Sequence, residues 1–485
     1  MEKTAATRAT FGSKLGILAA TAGSAAGLGN IWRFPSQTAQ DGGAIFFLIY
    51  LACVIFFGAP VVLAEFITGR AGQANTLRVY KKLAPGKKFH LFGFFAMAAA
   101  FLILGFYMVV SGWTLYYLVL SLAGTLGHTA DFGALFGELA NDAPKQIAFM
   151  LIFIVATAGI IAGGVKKGIE LSSKLMMPLL IVVMLVLAAR ALTLDGAGAG
   201  LVYLFEPNLE NAASAGPRIL TDALGQCFFS LSVGMGALMI YASYFKKDVN
   251  LPRMAASMSV LDTAIAVLAG VIIFPAAFAL APAADAGTLV ETLKTGGPGL
   301  VFVELPRLLQ ALPGAQLWSI LFFLLLALAA LTSAMSIFEV VTAFIHEEFR
   351  FTLAKKIAPS PTSGEDRYFH QEYRLSRPFS AIIVAVGITI FGILSACSLG
   401  DDSALKFFGM TFFDLLDFVT AKILLPVGGI FISLFVGWYL DKKMLADELA
   451  GTGRLSVPFF KVYSFLLRWV TPIGIAVLLV AGLAI

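Results

Sequence analysis

Histidine, cysteine and charge are all scarce in this sequence. Its 485 residues include three cysteines, Cys53, Cys227 and Cys397, and four histidines, His90, His128, His346 and His370. None of them stands at metal-ligand or disulfide-framework spacing from another, which excludes a zinc module and a disulfide scaffold. The cysteines sit singly in apolar runs, as core residues do. No hydrolase or kinase pattern occurs either, so the sequence offers nothing from which to build a catalytic constellation. Charged residues make up 13% against 59% hydrophobic, and the mean hydropathy is +0.89. Such a chain is no ordinary soluble globular domain.

What is present is a recurrence of apolar stretches long enough for a hydrocarbon core, roughly 17 to 25 residues each. Eleven are expected, near 14–38, 43–69, 91–125, 146–164, 170–191, 217–244, 255–281, 316–346, 377–397, 411–440 and 462–484. The basic start followed by LGILAATAGSAA has a signal-peptide look, but ten further spans argue for an uncleaved first span. Lys3, Arg8 and Lys14 then place the N-terminus in the cytoplasm. Lys and Arg concentrate in 70–88, 164–174, 245–253, 346–378 and 441–454, which agree on one side. An odd number of spans leaves the C-terminus outside. The net charge of +5 is thereby a topology signal rather than a mark of nucleic-acid binding.

Polar groups inside spans are costly in lipid and point to a pathway. Asn30, Arg33, Glu65, Asp262, Glu339, Asp414 and Asp417 are such residues. The first span carries GSAAGLGNIWRFP (23–35). Taken alone, Gly23 and Gly27 form a GxxxG pattern, which usually means close helix packing. A second interrupted span, QCFFSLSVGMGALMIYASY (226–244), changes that reading, because Gly234 and Gly236 match Gly27 and Gly29. Broken spans at corresponding positions of two halves point to inverted repeats. The expected architecture is an all-α polytopic membrane protein with a 5+5 inverted-repeat core, broken in helices 1 and 6. Repeat one is expected at about 10–191, repeat two at about 217–440 and an extra helix at about 462–484, all in one domain over 1–485. Irregular backbone at that depth is tolerable where it lines a cavity, its freed carbonyls facing a cation and its helix N-termini an anion.

GSAAGLGNIWRFP, DGGAIFFLIY, SGWTLYY, FFSLSVGMGALMIYASY and LAALTSAMSIFE occur in an order that closely resembles the neurotransmitter:sodium symporter family. The nearest resemblance is to its bacterial branch, which includes sodium-coupled amino-acid transporters of eleven spans. The resemblance implies two Na+ sites. The first would use the Ala25 carbonyl, Asn30, Ser230 and Asp262, with a substrate carboxylate as a further oxygen. The second would use carbonyls of Gly23, Ala26 and Ala329 with the hydroxyls of Thr332 and Ser333. Positions 329, 332, 333 and 336 do share one helix face. Serine and threonine in membrane helices also commonly bond their own backbone.

Monoamine carriers of the family place an aspartate where this chain has Gly27, so the resemblance implies an α-amino acid whose own carboxylate takes that room. Tyr107 would bond the carboxylate, and Ser232 would meet the amine. Leu28, Ile103, Phe229, Met235 and Ile337 would surround the side chain, with Ala25, Gly29, Ser230 and Ser333 completing the substrate site. No charged group stands among them, so a hydrophobic or aromatic substrate is expected. Arg33 with Asp417 resembles the outer gate, lidded by Tyr107 and Phe229, and Arg8 with Glu347, near Tyr244, resembles the inner one. Glu347 could equally serve helix-end solvation beside Glu348. Asp262 stands where many relatives have asparagine, and Ala266 where chloride-dependent members have serine. Chloride-independent transport is expected, with proton antiport if Asp262 is protonated on the return. The competing readings are a sodium-permeable channel and an amino-acid-sensing receptor. No nucleic acid is expected as a partner; the partners are a small-molecule amino acid, sodium and the bilayer of a bacterial inner membrane.

Overall fold

Apolar stretches of this length fold as helices because lipid offers no partner to a bare backbone amide. In a computed structural model, which describes residues 2–3, 8–280, 297–357, 367–400, 403–451 and 457–484, helix dominates. Among the described residues nine helices are long and apolar enough to cross a membrane. They are Ala44–Gly72, His90–Leu122, Ala143–Ala162, Val165–Leu192, Leu251–Ala279, Ala315–Glu348, Arg377–Cys397, Phe412–Tyr439 and Pro458–Ala481. A tenth is the first span, Lys14–Ala25 with Gly29–Gln40, bent by 50°. Arg218–Ser230 and Ala237–Ala242, joined by the non-helical stretch 231–236, take the place of the expected sixth. The expected residue 281 and the loop portions 358–366 and 452–454 lie outside the described residues.

The two breaks have different causes. In the first span the helix stops at Ala26, whose φ of −68° and ψ of 71° make an inverse γ-turn closed by Gly27 N–H to the Ala25 carbonyl at 2.7 Å. In the sixth, positive φ does the work: Ser232 at 54°, Gly234 at 87° and Gly236 at 77°. The glycines of the first break serve space instead. A Cβ on Gly27 would lie 2.2 Å from Ser333 Oγ, and one on Gly29 2.7 Å from Phe229 Cδ1.

The eighth span packs along the third and against the first, so both broken helices face an intact one. One expectation is corrected. The 346–378 segment is more than a basic loop: Arg350–Ile357 pairs antiparallel with Arg367–Arg374, and Glu2–Lys3 joins that ribbon opposite Tyr373 and Arg374. Asp414 lines a cavity together with Arg33, Asp417, Tyr107 and Phe229. It is exposed in the first turn of the tenth span, where Thr411 caps its N–H at 3.0 Å.

Candidate functional site

Broken helices leave amides and carbonyls without intrahelical partners, and the chain satisfies many of them with buried side chains. Glu65, on the second span, accepts the Gly234 N–H at 2.7 Å and the Met239 N–H at 3.1 Å. Gln226 donates to the Gly29 carbonyl at 2.9 Å. The Ser24 carbonyl accepts from both Ser232 and Ser333, each at 2.9 Å. Glu65 was legible as an unusual acid in a span, but its task was not, because its partners lie far along the chain.

Asn30, Ser230 and Asp262 come together as expected. Asn30 Nδ2 donates to Asp262 Oδ1 at 2.8 Å and to its carbonyl at 3.0 Å, and Ser230 Oγ donates to Oδ2 at 2.7 Å. Tyr50 approaches Ser230 at 3.4 Å. All four residues are completely buried. Asp262 makes no ion pair with any basic side chain among the described residues, so this carboxylate faces only neutral donors. A buried carboxylate in that position is poorly compensated and attracts a cation. Hard oxygen donors of this kind suit sodium.

Residues of the expected second site also converge. Ser333 Oγ is 3.5 Å from the Gly23 carbonyl, and a Cβ on Gly23 would lie 3.3 Å from Thr332 Cβ. Here the backbone-bonding behaviour of hydroxyls is visible too. Thr332 donates to the carbonyls of Leu328 and Ala329 at 3.1 and 3.0 Å.

Between the two breaks lies a cavity of about 10 Å³, the size that holds one water. Its walls are Ala25, Leu28, Gly29, Ile103, Tyr107, Phe229, Ser232, Met235, Ser333 and Ile337, joined by Gly27. Ser230, also expected there, does not line it; its hydroxyl serves Asp262 instead. The Tyr107 hydroxyl is buried and has no hydrogen-bond partner among the described residues. It is the polar atom in this wall that most needs one.

Charge pairs close the cavity at both ends. Arg33 Nη1 is 3.5 Å from Asp417 Oδ1, and its guanidinium lies 4.9 Å from the centre of the Phe229 ring. A vestibule of about 250 Å³ has that pair in its wall and shares Leu28, Gly29, Tyr107 and Phe229 with the central cavity. At the other end Arg8 is in contact with Glu347, donates to Ser243 at 2.7 and 3.1 Å, and lies over the Tyr244 ring at 4.7 Å. Glu347 also accepts the Asn75 N–H at 2.9 Å. Sequence reasoning missed the next layer, where Glu339 takes Tyr244 Oη at 2.6 Å and is paired with Arg377. Glu339 in an apolar helix was its one signal.

Two broken helices around a small, largely apolar pocket, with a charge pair at either end, define a membrane transporter. The chain belongs to the sodium:neurotransmitter symporter family, whose model matches residues 8–132 and 138–359. That family is one of transporters, not of enzymes. The chain is 36% identical to an uncharacterized sodium-dependent transporter, YhdH, of Bacillus subtilis, over 96% of each chain. It is 31% identical to an uncharacterized sodium-dependent transporter of Haemophilus influenzae, over 98% of each. Among solved structures it resembles MhsT, crystallised in complex with L-phenylalanine. The TM-score is 0.85 at 39% identity, covering 98% of this chain and 100% of that one.

Proposed function

We propose that this protein is a sodium-coupled symporter that carries a hydrophobic or aromatic L-amino acid into a bacterial cell by alternating access. The observation that carries the reading is Asp262, a buried carboxylate with only neutral donors among the described residues, close to an apolar pocket into whose wall the Tyr107 side chain brings an unpartnered hydroxyl. Sodium at Asp262 and Asn30 compensates the carboxylate, and the carboxylate of the substrate adds a further oxygen. A second sodium belongs with Gly23, Ala26, Ala329, Thr332 and Ser333. Gly27 leaves no room for an acidic side chain, because even a Cβ there meets Ser333. No carboxylate of this chain stands at that position, and the proposed substrate brings its own.

Leu28, Ile103, Phe229, Met235 and Ile337 supply apolar walls, and Met235, unbranched and polarizable, adapts to more than one side-chain shape. That MhsT was crystallised with L-phenylalanine supports the same substrate class. Asp262 supplies the negative charge that would otherwise come from chloride, so transport needs none. The basic loops put Arg8 and Glu347 at the cytoplasmic gate, Arg33 and Asp417 at the outer gate, and the C-terminus outside. The repeats run over about 10–191 and 217–440, with an added helix at 462–484.

The test is uptake of labelled leucine, tyrosine and tryptophan into proteoliposomes with and without an inward sodium gradient. Saturable, sodium-dependent accumulation without external chloride is expected. Tight sodium-dependent binding with no accumulation would identify a receptor. Sodium conduction without solute uptake would identify a channel.

A further inference from the structure

A second polar cavity is far larger than the central one. About 530 Å³ opens at the Arg8 end, and its walls are strongly basic: Arg8, Arg78, Lys82, Arg374 and Arg377 all face it. Three of these cations already have carboxylates. Arg8 holds Glu347, Arg78 Nε lies 2.6 Å from Glu348, and Arg377 holds Glu339. Lys82 and Arg374 make no ion pair among the described residues. Lys82 Nζ reaches only the carbonyls of Gly72 and Gln73, at 2.9 and 3.3 Å. Arg374 Nε is buried and without any partner. Burial and the nearby charges of Arg8, Arg78 and Arg374 push the Lys82 ammonium below its ordinary pKa, against the pull of Glu347. The cavity therefore gathers two cations that have no carboxylate partner among the described residues, Lys82 at the carbonyl end of the second-span helix and Arg374 with an unused donor.

We propose that this cavity is a binding site for a phosphate-class dianion, held by Arg374 and Lys82. A planar guanidinium presents paired N–H donors to phosphate oxygens, and an ammonium adds a compact point charge. A zwitterionic amino acid on its way out gains little here, since its own ammonium meets the same cations. A dianion has no such penalty. The volume leaves room for the organic part of a phosphate ester, so either a soluble phosphate or a lipid phosphate headgroup meets the chemistry. Lys82 belongs to the Thr76–Leu83 helix and Arg374 to the strand ahead of the ninth span, so a bound dianion links two segments that line the same cavity as the Arg8–Glu347 pair. Only the cytoplasmic placement of this site rests on the orientation proposed above; its binding chemistry stands apart from the substrate.

The test is calorimetric titration of the purified full-length protein with inorganic phosphate at constant ionic strength, using wild type and the double variant Lys82→Gln, Arg374→Gln. A second arm uses nanodiscs containing phosphatidic acid or only phosphatidylcholine. Saturable phosphate binding that weakens at least about tenfold in the double variant is expected for a soluble anion, from the loss of charge-assisted bonds. Variant-sensitive binding of phosphatidic acid alone supports the same site with a lipid headgroup as its source. Arg374→Lys, which keeps the charge and loses the fork, should fall between the two and decides the matter if the double variant does not elute as a single species. Binding that is the same in wild type and all variants, or absent in both arms, overturns the proposal. Neither result depends on amino-acid transport.

Discussion

Asp262 shows what one side chain can demand of its surroundings. With Asn30 and Ser230 as neutral donors and no basic partner among the described residues, its carboxylate has no counter-charge there. Asp262→Asn should raise the sodium concentration needed for labelled amino-acid binding by roughly 10- to 100-fold, the value of a charge-assisted contact. An unchanged sodium midpoint would remove Asp262 from the ion site. Gly27→Ala is expected to abolish binding, since its Cβ would stand 2.2 Å from Ser333 Oγ and 3.3 Å from the Tyr107 hydroxyl; wild-type affinity in that variant contradicts the assignment. Asp41, just past the end of the first span, is a different case. Burial and the Asp222 carboxylate push its pKa up to about 6 from 3.8, with Arg218 at 3.2 Å pulling the other way. The folded chain keeps the Asp41 proton after the unfolded chain has released it, so stability present below the lower value is lost as pH rises towards about 6. The unfolding temperature of wild type relative to Asp41→Asn should therefore fall across that window and level off above it. A difference independent of pH refutes this.

The two broken helices were legible in the sequence as a matched pair, but not the physics that breaks each. Glycine suggested backbone freedom at both, whereas the first span turns at Ala26 and its glycines at 27 and 29 make room for Ser333 and Phe229. Steric need of that kind depends on residues hundreds of positions away and leaves no local mark. The same holds for Glu65, whose two carboxylate oxygens each take one amide of the sixth-span break. Glu65→Gln keeps one acceptor and turns a donor toward the other amide, so it should cost about 1–3 kcal/mol of stability. Thermal unfolding in detergent reads this, and an unaltered midpoint would mean that the break is held by other contacts. The Arg350–Ile357 and Arg367–Arg374 ribbon escaped notice for another reason. Its lysines and arginines are the ones a topology rule counts as loop.

At the scale of the molecule, hydropathy and charge asymmetry carried the span pattern, and the family resemblance carried the two charge pairs proposed as gates. What they could not carry was which pair holds harder. The Arg33–Asp417 contact is long at 3.5 Å and Arg33 Nε is unpartnered, whereas Arg8 engages Glu347, Ser243 and the Tyr244 ring together. The Arg8 end is therefore the more firmly closed. Arg8→Ala should expose the path at that end, raising the labelling rate of a cysteine introduced at Ala343 by about tenfold, in keeping with the loss of a partly buried charged contact; no change in rate would deny Arg8 a gating part. All of this serves one claim, that ion and solute move together. Parallel measurement of radioactive sodium and labelled amino-acid fluxes in the same proteoliposomes tests it most directly. The account predicts sodium entry only when the amino acid is present, in a fixed ratio to it. Sodium entry of equal size without the amino acid, or amino-acid entry without sodium, would contradict it.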